Sequence, residues 1–216
     1  MCHSSPPLYA HPVFQKLTGG AWRPGGVDLT RHGLELCAFT SGMRVVDVGC
    51  GGGATLEFLQ TQGLRALGLD LTPPAFLGSQ IPIIRAHAAH LPLAAGRLDG
   101  VLCECVLSLV QDTQGALSEF ARVLRPHGAL LLSDLFVHEA SAKPLRFAHN
   151  SCMDNALSRQ HLEHALEHCG FHITYFEDHT ALLRPLAAQL HWHGLDCSGL
   201  GSGRWGYGLW IARRTR

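Results

Sequence analysis

Residues Val45-Val46-Asp47-Val48-Gly49-Cys50-Gly51-Gly52-Gly53 form an apolar run that meets a carboxylate and then a glycine-rich turn. A helix is expected immediately afterwards, over 54–62. Glycine admits tight and left-handed turns and has no Cβ to keep another molecule away. The helix that follows points its unpaired N–H groups back at the turn. A strand, glycine turn and helix in this order belong to a βαβ architecture whose backbone lies against a nucleotide-like ligand.

The rest of the chain alternates in the same way. Strands are expected at 44–48, 64–71, 81–84, 98–104 and 129–135, the last fully apolar as buried parallel strands are. Helices are expected at 28–37 capped by Asp28, at 55–62 and at 113–124, with a turn at 125–128. The crossover at 72–78 holds Pro73 and Pro74 and is too short for a full helix. Residues 137–158 are irregular. Ser158 can cap a helix over 159–169 that Gly170 stops. A strand over 171–176, a helix over 180–191 and a strand over 205–212 complete the pattern. The chain reads as a single domain. Residues 1–27 form an N-terminal arm and 28–135 a cofactor-binding core. Residues 136–158 form a cover on the substrate side, and 159–216 supply the remaining sheet and helices.

Composition narrows the function. Formal charge is zero over 216 residues, and no basic run suggests nucleic acid. No apolar run is long enough to cross a bilayer, and residues 1–7 lack the basic and apolar parts of a signal peptide. Eight cysteines, scattered and partly within elements, then read as reduced thiols of a cytoplasmic protein. Fifteen histidines are unusually many.

The spacing Gly49-x-Gly51-x-x-Ala54, with Asp70 about twenty residues on, also fits a dinucleotide fingerprint. Two features favour another nucleotide user. Asp47 stands inside a strand that dinucleotide folds keep apolar, and a buried carboxylate there needs partners such as a cationic ligand. There is also one such loop and no second domain for hydride chemistry. Taken with Leu67-Gly68-Leu69-Asp70, Leu91-Pro92-Leu93, Leu98-Asp99 and the run from Ala121 to Asp134, the chain resembles class I S-adenosylmethionine-dependent methyltransferases. The resemblance implies a Rossmann-like α/β fold. Its sheet has seven mostly parallel strands with an antiparallel last strand, and helices cover both faces.

It also implies S-adenosylmethionine as cofactor. Gly49, Cys50, Gly51 and Gly53 would pass under it, and Asp47 would sit near its methionine end. Asp70 and Leu71 would hold the ribose, His87 and Ala88 would border the adenine, and Glu104 would border the sulfonium. His87 stands where relatives often carry an acid toward the adenine amino group, and a neutral imidazole can accept a hydrogen bond there. The expected reaction is methyl transfer to a small molecule by a monomer or homodimer. A non-catalytic accessory protein of the same fold and a dehydrogenase are the alternatives.

A narrower resemblance, to arsenite methyltransferases, rests on Cys105-Val106-Leu107-Ser108-Leu109 and on 151–158. It implies Cys152 and Cys105 as thiolate ligands for a soft metalloid. Asn155 departs from that pattern. Cys105, Cys152 and His149 are the catalytic candidates. His191, His193 and Cys197 have metal-ligand spacing, but no second cysteine pair accompanies them, so no metal site is expected. His161, His164 and His168 share one helix face, read as solvated.

Overall fold

The computed structural model describes residues 8–73, 81–138, 155–195, 200 and 204–216. Seven strands form one sheet in the order β3-β2-β1-β4-β5-β7-β6. They are β1 (Arg44–Val48), β2 (Arg65–Asp70), β3 (Ile83–Arg85), β4 (Leu98–Glu104), β5 (Leu124–Val137), β6 (Phe171–Asp178) and β7 (Trp205–Arg214). All pairings are parallel except those of β7, which runs antiparallel to both β5 and β6. This is the expected sheet, including the reversed last strand.

Side chains alternate across the strands and build a core on each face. Val45, Leu102, Leu131 and Tyr207 face one core, closed by α1 (Pro12–Leu17), α2 (Gly26–Cys37), α3 (Ala54–Thr61) and α6 (Leu183–Trp192). Val46, Val101, Leu130 and Trp210 face the other, under α4 (Thr113–Val123) and α5 (Arg159–His168). Asp112 caps α4, and Ser158 caps α5 as expected. Gly170, at φ 85°, ends the turn after α5. His161, His164 and His168 are exposed on α5. No helix among the described residues is long and apolar enough to cross a membrane.

Two local expectations are corrected. Asp28 does not cap α2. The helix begins two residues earlier behind Gly25, which is left-handed at φ 77°, and Asp28 pairs with Arg31 on the surface. The turn at 125–128 is absorbed into β5 as an irregularity in its pairing with β4, with His127 at φ 64°. The tail of α4 also explains two separated sequence pieces. Arg122 donates to the carbonyls of Leu93 (2.8 Å) and Leu91 (3.0 Å), while Glu119 accepts from the Leu91 N–H at 2.7 Å. That clamp fixes the loop between β3 and β4, which leads out of the cleft described next.

Candidate active site

The carboxyl ends of β1, β2 and β4 open into one cleft of about 440 Å³. Its floor is the turn after β1. Gly49 stands at φ 78°, and its N–H donates to the Leu69 carbonyl at 2.6 Å. A side chain at Gly49 would collide with Val106. Gly51, at φ 49°, donates its N–H to Asp70 at 2.9 Å, and a Cβ there would lie 2.8 Å from the Trp22 indole. The same ring lies against Gly52. The glycines thus make room for two protein side chains as well as for a ligand. Gly53, left-handed at φ 83°, starts α3.

Asp70 ends β2 and accepts one backbone N–H on each oxygen, from Gly51 and from Thr72 (2.8 Å). An ionised carboxylate has about four acceptor positions, so this one retains capacity for ligand hydroxyls.

Beneath the loop lies a buried charge cluster. Arg23, Asp47 and Glu104 are 4%, 3% and 7% exposed. Arg23 Nη2 meets Glu104 at 2.9 Å and donates to Thr55 at 3.0 Å and to Thr30. The Thr30 hydroxyl lies 3.2 Å from both Glu104 oxygens. Arg23 Nη1 donates to the Ala21 carbonyl at 3.0 Å, while its buried Nε has no partner among the described residues. Burial pushes the Asp47 carboxyl up to about 7; the Glu104 charge adds to this, and Arg23 opposes it. Burial also raises Glu104, against the pull of Arg23.

The far wall follows β4. Cys105 is held left-handed at φ 56°, with its N–H on the Ser133 carbonyl at 2.7 Å. Its thiol donates to the Tyr207 hydroxyl at 3.5 Å, which donates to Ser133 at 3.1 Å. Next comes a single helical turn, Leu107–Leu109. It is pinned by Asp134, which accepts from the Ser108 N–H (2.9 Å) and hydroxyl (2.6 Å). Burial raises the Asp134 carboxyl to about 6 in spite of these bonds.

The description "Methyltransferase domain" fits residues 46–132, the span from the loop to β5. That span is a methyltransferase domain, and the chain is similar to class I S-adenosylmethionine-dependent methyltransferases. It is 28% identical over 186 residues to the O-methyltransferase resE of Aspergillus sclerotiorum, covering 79% of this chain and 70% of that one. It is 29% identical over 167 residues to an arsenite methyltransferase of Aquipseudomonas alcaligenes, covering 64% of this chain and 47% of that one. The chain therefore spans less than half of the second relative. In fold it is similar to the [4+2]-cyclase SpnF, with a TM-score of 0.76 and 20% identity over 95% of this chain and 92% of that one.

The methyltransferase brings most of the residues expected at its site into one place. Asp47, Gly49, Cys50, Gly51, Asp70, Leu71, His87, Ala88, Glu104 and Cys105 all line the cleft. Cys152 and His149 lie outside the described residues, as do Cys197 and residues 74–78. Two expectations change. Glu104 reaches the cleft, but its carboxylate is engaged by Arg23 and Thr30. His87 Nδ1 already accepts the Ala89 N–H at 3.1 Å, so a neutral ring carries its proton on Nε2. That nitrogen is a donor, not the acceptor expected for an amino group. Trp22 and Arg23 were missed. They sit in a Gly- and Pro-rich stretch with no periodicity, and a tryptophan beside an arginine there was the only signal.

Proposed function

We propose that this methyltransferase binds S-adenosylmethionine in the cleft beneath Trp22 and transfers its methyl group to a small, neutral organic acceptor. One observation carries the reading. A single cleft joins a floor rich in charge and backbone donors to a wall of Cys105, Val106, Leu109 and Val110.

The residues suit the cofactor. Asp70 retains acceptor capacity for a ribose diol. The buried Arg23 Nε lacks a partner among the described residues, as a site awaiting a carboxylate would. The Asp47 carboxyl, raised to about 7 by burial, gains from a nearby cation when it ionises, and the ammonium or sulfonium end supplies one. When bound, the cofactor presents an electrophilic methyl group for in-line displacement. The chain's part is to align the acceptor with that methyl and to exclude water. Asp134 does this at one remove, by fixing the turn that carries the wall. Past Glu104, the wall residues Cys105–Gln111 and Asn155 include no charged side chain among the described residues, which favours an uncharged acceptor over a phosphate ester. The similarity to a fungal O-methyltransferase favours oxygen as the nucleophile. No disulfide joins two of the described cysteines, which suits the reducing cytoplasm.

Cys105 in the wall, together with the arsenite methyltransferase relative, favours a second reading in which trivalent arsenic is the acceptor. One experiment separates the readings. S-adenosylhomocysteine production is followed with phenols, catechols, amines and arsenite. Turnover with hydroxylated rings supports the first. Arsenite-dependent turnover lost in Cys105→Ser supports the second. Cofactor binding without turnover on any acceptor points to the accessory role.

A further inference from the structure

Three side chains outside the cleft converge where α2 passes the end of β6. His32 comes from α2, Glu177 from the last residues of β6, and His179 follows the strand. His32 Nε2 lies 2.7 Å from Glu177 Oε2, and His179 Nε2 lies 3.5 Å from the same oxygen. All three ligand-type atoms fall within 4.8 Å of one another, the one such grouping among the described residues. We propose that His32, Glu177 and His179 bind a divalent transition-metal ion of the zinc class, which fastens α2 to the edge of the sheet.

The chemistry of the three groups supports this. Two imidazoles and a carboxylate form a ligand set suited to zinc and its neighbours, and three protein ligands leave a fourth position for water. Tetrahedral zinc with bonds of about 2.0–2.2 Å holds its ligand atoms about 3.4 Å apart. The His179–Glu177 separation is already of that size, and the His32–Glu177 pair has only to open slightly.

The site is also built from rigid parts. The His179 N–H donates to the Tyr207 carbonyl at 2.7 Å, and its own carbonyl accepts from Leu182 at 2.9 Å. The Tyr175 hydroxyl donates to Glu177 Oε2 at 3.1 Å, an outer-sphere contact of the kind that orients a ligating carboxylate. His179 Nε2 is buried yet makes no hydrogen bond among the described residues. A buried ring nitrogen with no partner is uncommon in folded proteins, and a metal ion would satisfy it. The site is not remote from the chemistry, because α2 also carries Thr30, which touches Glu104 in the cleft.

The test is zinc titration of the metal-free full-length protein by calorimetry, with cobalt as a visible-absorption reporter. One ion per chain should bind and raise the Tm. His179→Ala and Glu177→Gln should each weaken binding by about tenfold or more and abolish the cobalt bands. Unchanged far-UV circular dichroism and unchanged S-adenosylhomocysteine binding in these variants show that the fold and cleft are intact. His161→Ala with His164→Ala, on the exposed face of α5, should leave zinc binding as it was. Absence of zinc binding, equal binding in His179→Ala and Glu177→Gln, or loss of binding in the α5 variant overturns the proposal. In the first of these outcomes the trio is an ion pair only.

Discussion

Asp47 offers the most direct link between stability and binding in this protein. Its carboxyl is fully buried and raised from 3.8 to about 7, chiefly by burial and then by Glu104. At about 1.4 kcal/mol per tenfold change, that rise sets about 4 kcal/mol against the ionised form. A carboxyl that holds its proton more tightly in the folded chain contributes its full stability below pH 3.8. It loses that contribution as the pH rises through 7. Asp47→Asn keeps the shape and removes the charge. The amide still needs partners, so the expected gain at pH 8 is about 1–2 kcal/mol, smaller than the full electrostatic cost. The variant should therefore unfold at higher temperature than the parent at pH 8, and that advantage should fall by about 3 kcal/mol and reverse by pH 5, where the parent's carboxyl keeps its proton. Its affinity for S-adenosylmethionine should fall, because the cationic end of the cofactor loses its anion. In the parent chain, affinity should strengthen from pH 6 to pH 8 as Asp47 ionises, and in the variant that slope should vanish. Thermal melts and calorimetry at three pH values measure all of this. A variant less stable than the parent at pH 8, with an unchanged pH slope, would refute the assignment.

Other perturbations probe the neighbouring residues. Asp70→Ala should weaken S-adenosylhomocysteine binding by about 1–3 kcal/mol, since a charge-assisted pair to the ribose is lost; calorimetry reads this, and unchanged affinity removes the ribose role. His87→Asp should tighten binding roughly tenfold, about 1.4 kcal/mol, by placing an acceptor where the ring now presents a donor; the same titration decides it. Gly49→Ala should destabilise the fold by about 1–3 kcal/mol in chemical denaturation, because φ 78° and Val106 both oppose a side chain.

The sheet was legible because its signals are local. The apolar runs of β1, β4 and β5, the glycine turn and the Ser158 cap each act within a few residues of chain. Asp70 was legible because the strand places it at a fixed distance from the loop. Trp22 and Arg23 were not, because their partners Gly51 and Glu104 are remote in sequence and the stretch holding them has no period to read. The same holds for His32, whose partner Glu177 lies 145 residues away. Asp28 misled because an acid near a helix start is a common cap, and the left-handed Gly25 made it unnecessary. His87 occupied the expected position, but the hydrogen-bonding role of its ring depends on Ala89, a contact that motif spacing does not report.

The buried cluster also bears on the choice that loop spacing left open. Gly49, Gly51 and Asp70 suit a dinucleotide as well as a sulfonium nucleotide. A dinucleotide would bring a pyrophosphate to the loop. Here the loop stands over two carboxylates, Asp47 and Glu104, against one guanidinium, Arg23. Once Asp47 ionises the cluster is an excess anion, and another anion above it would be repelled in a low-dielectric setting where such terms are largest. S-adenosylmethionine brings two cations and one carboxylate to the same place. Its cations can offset Asp47, and its carboxylate can meet the unpartnered Arg23 Nε. The discriminating feature is therefore the charge balance beneath the glycines. It predicts that NADH, titrated by its fluorescence, does not compete with S-adenosylhomocysteine for the parent chain.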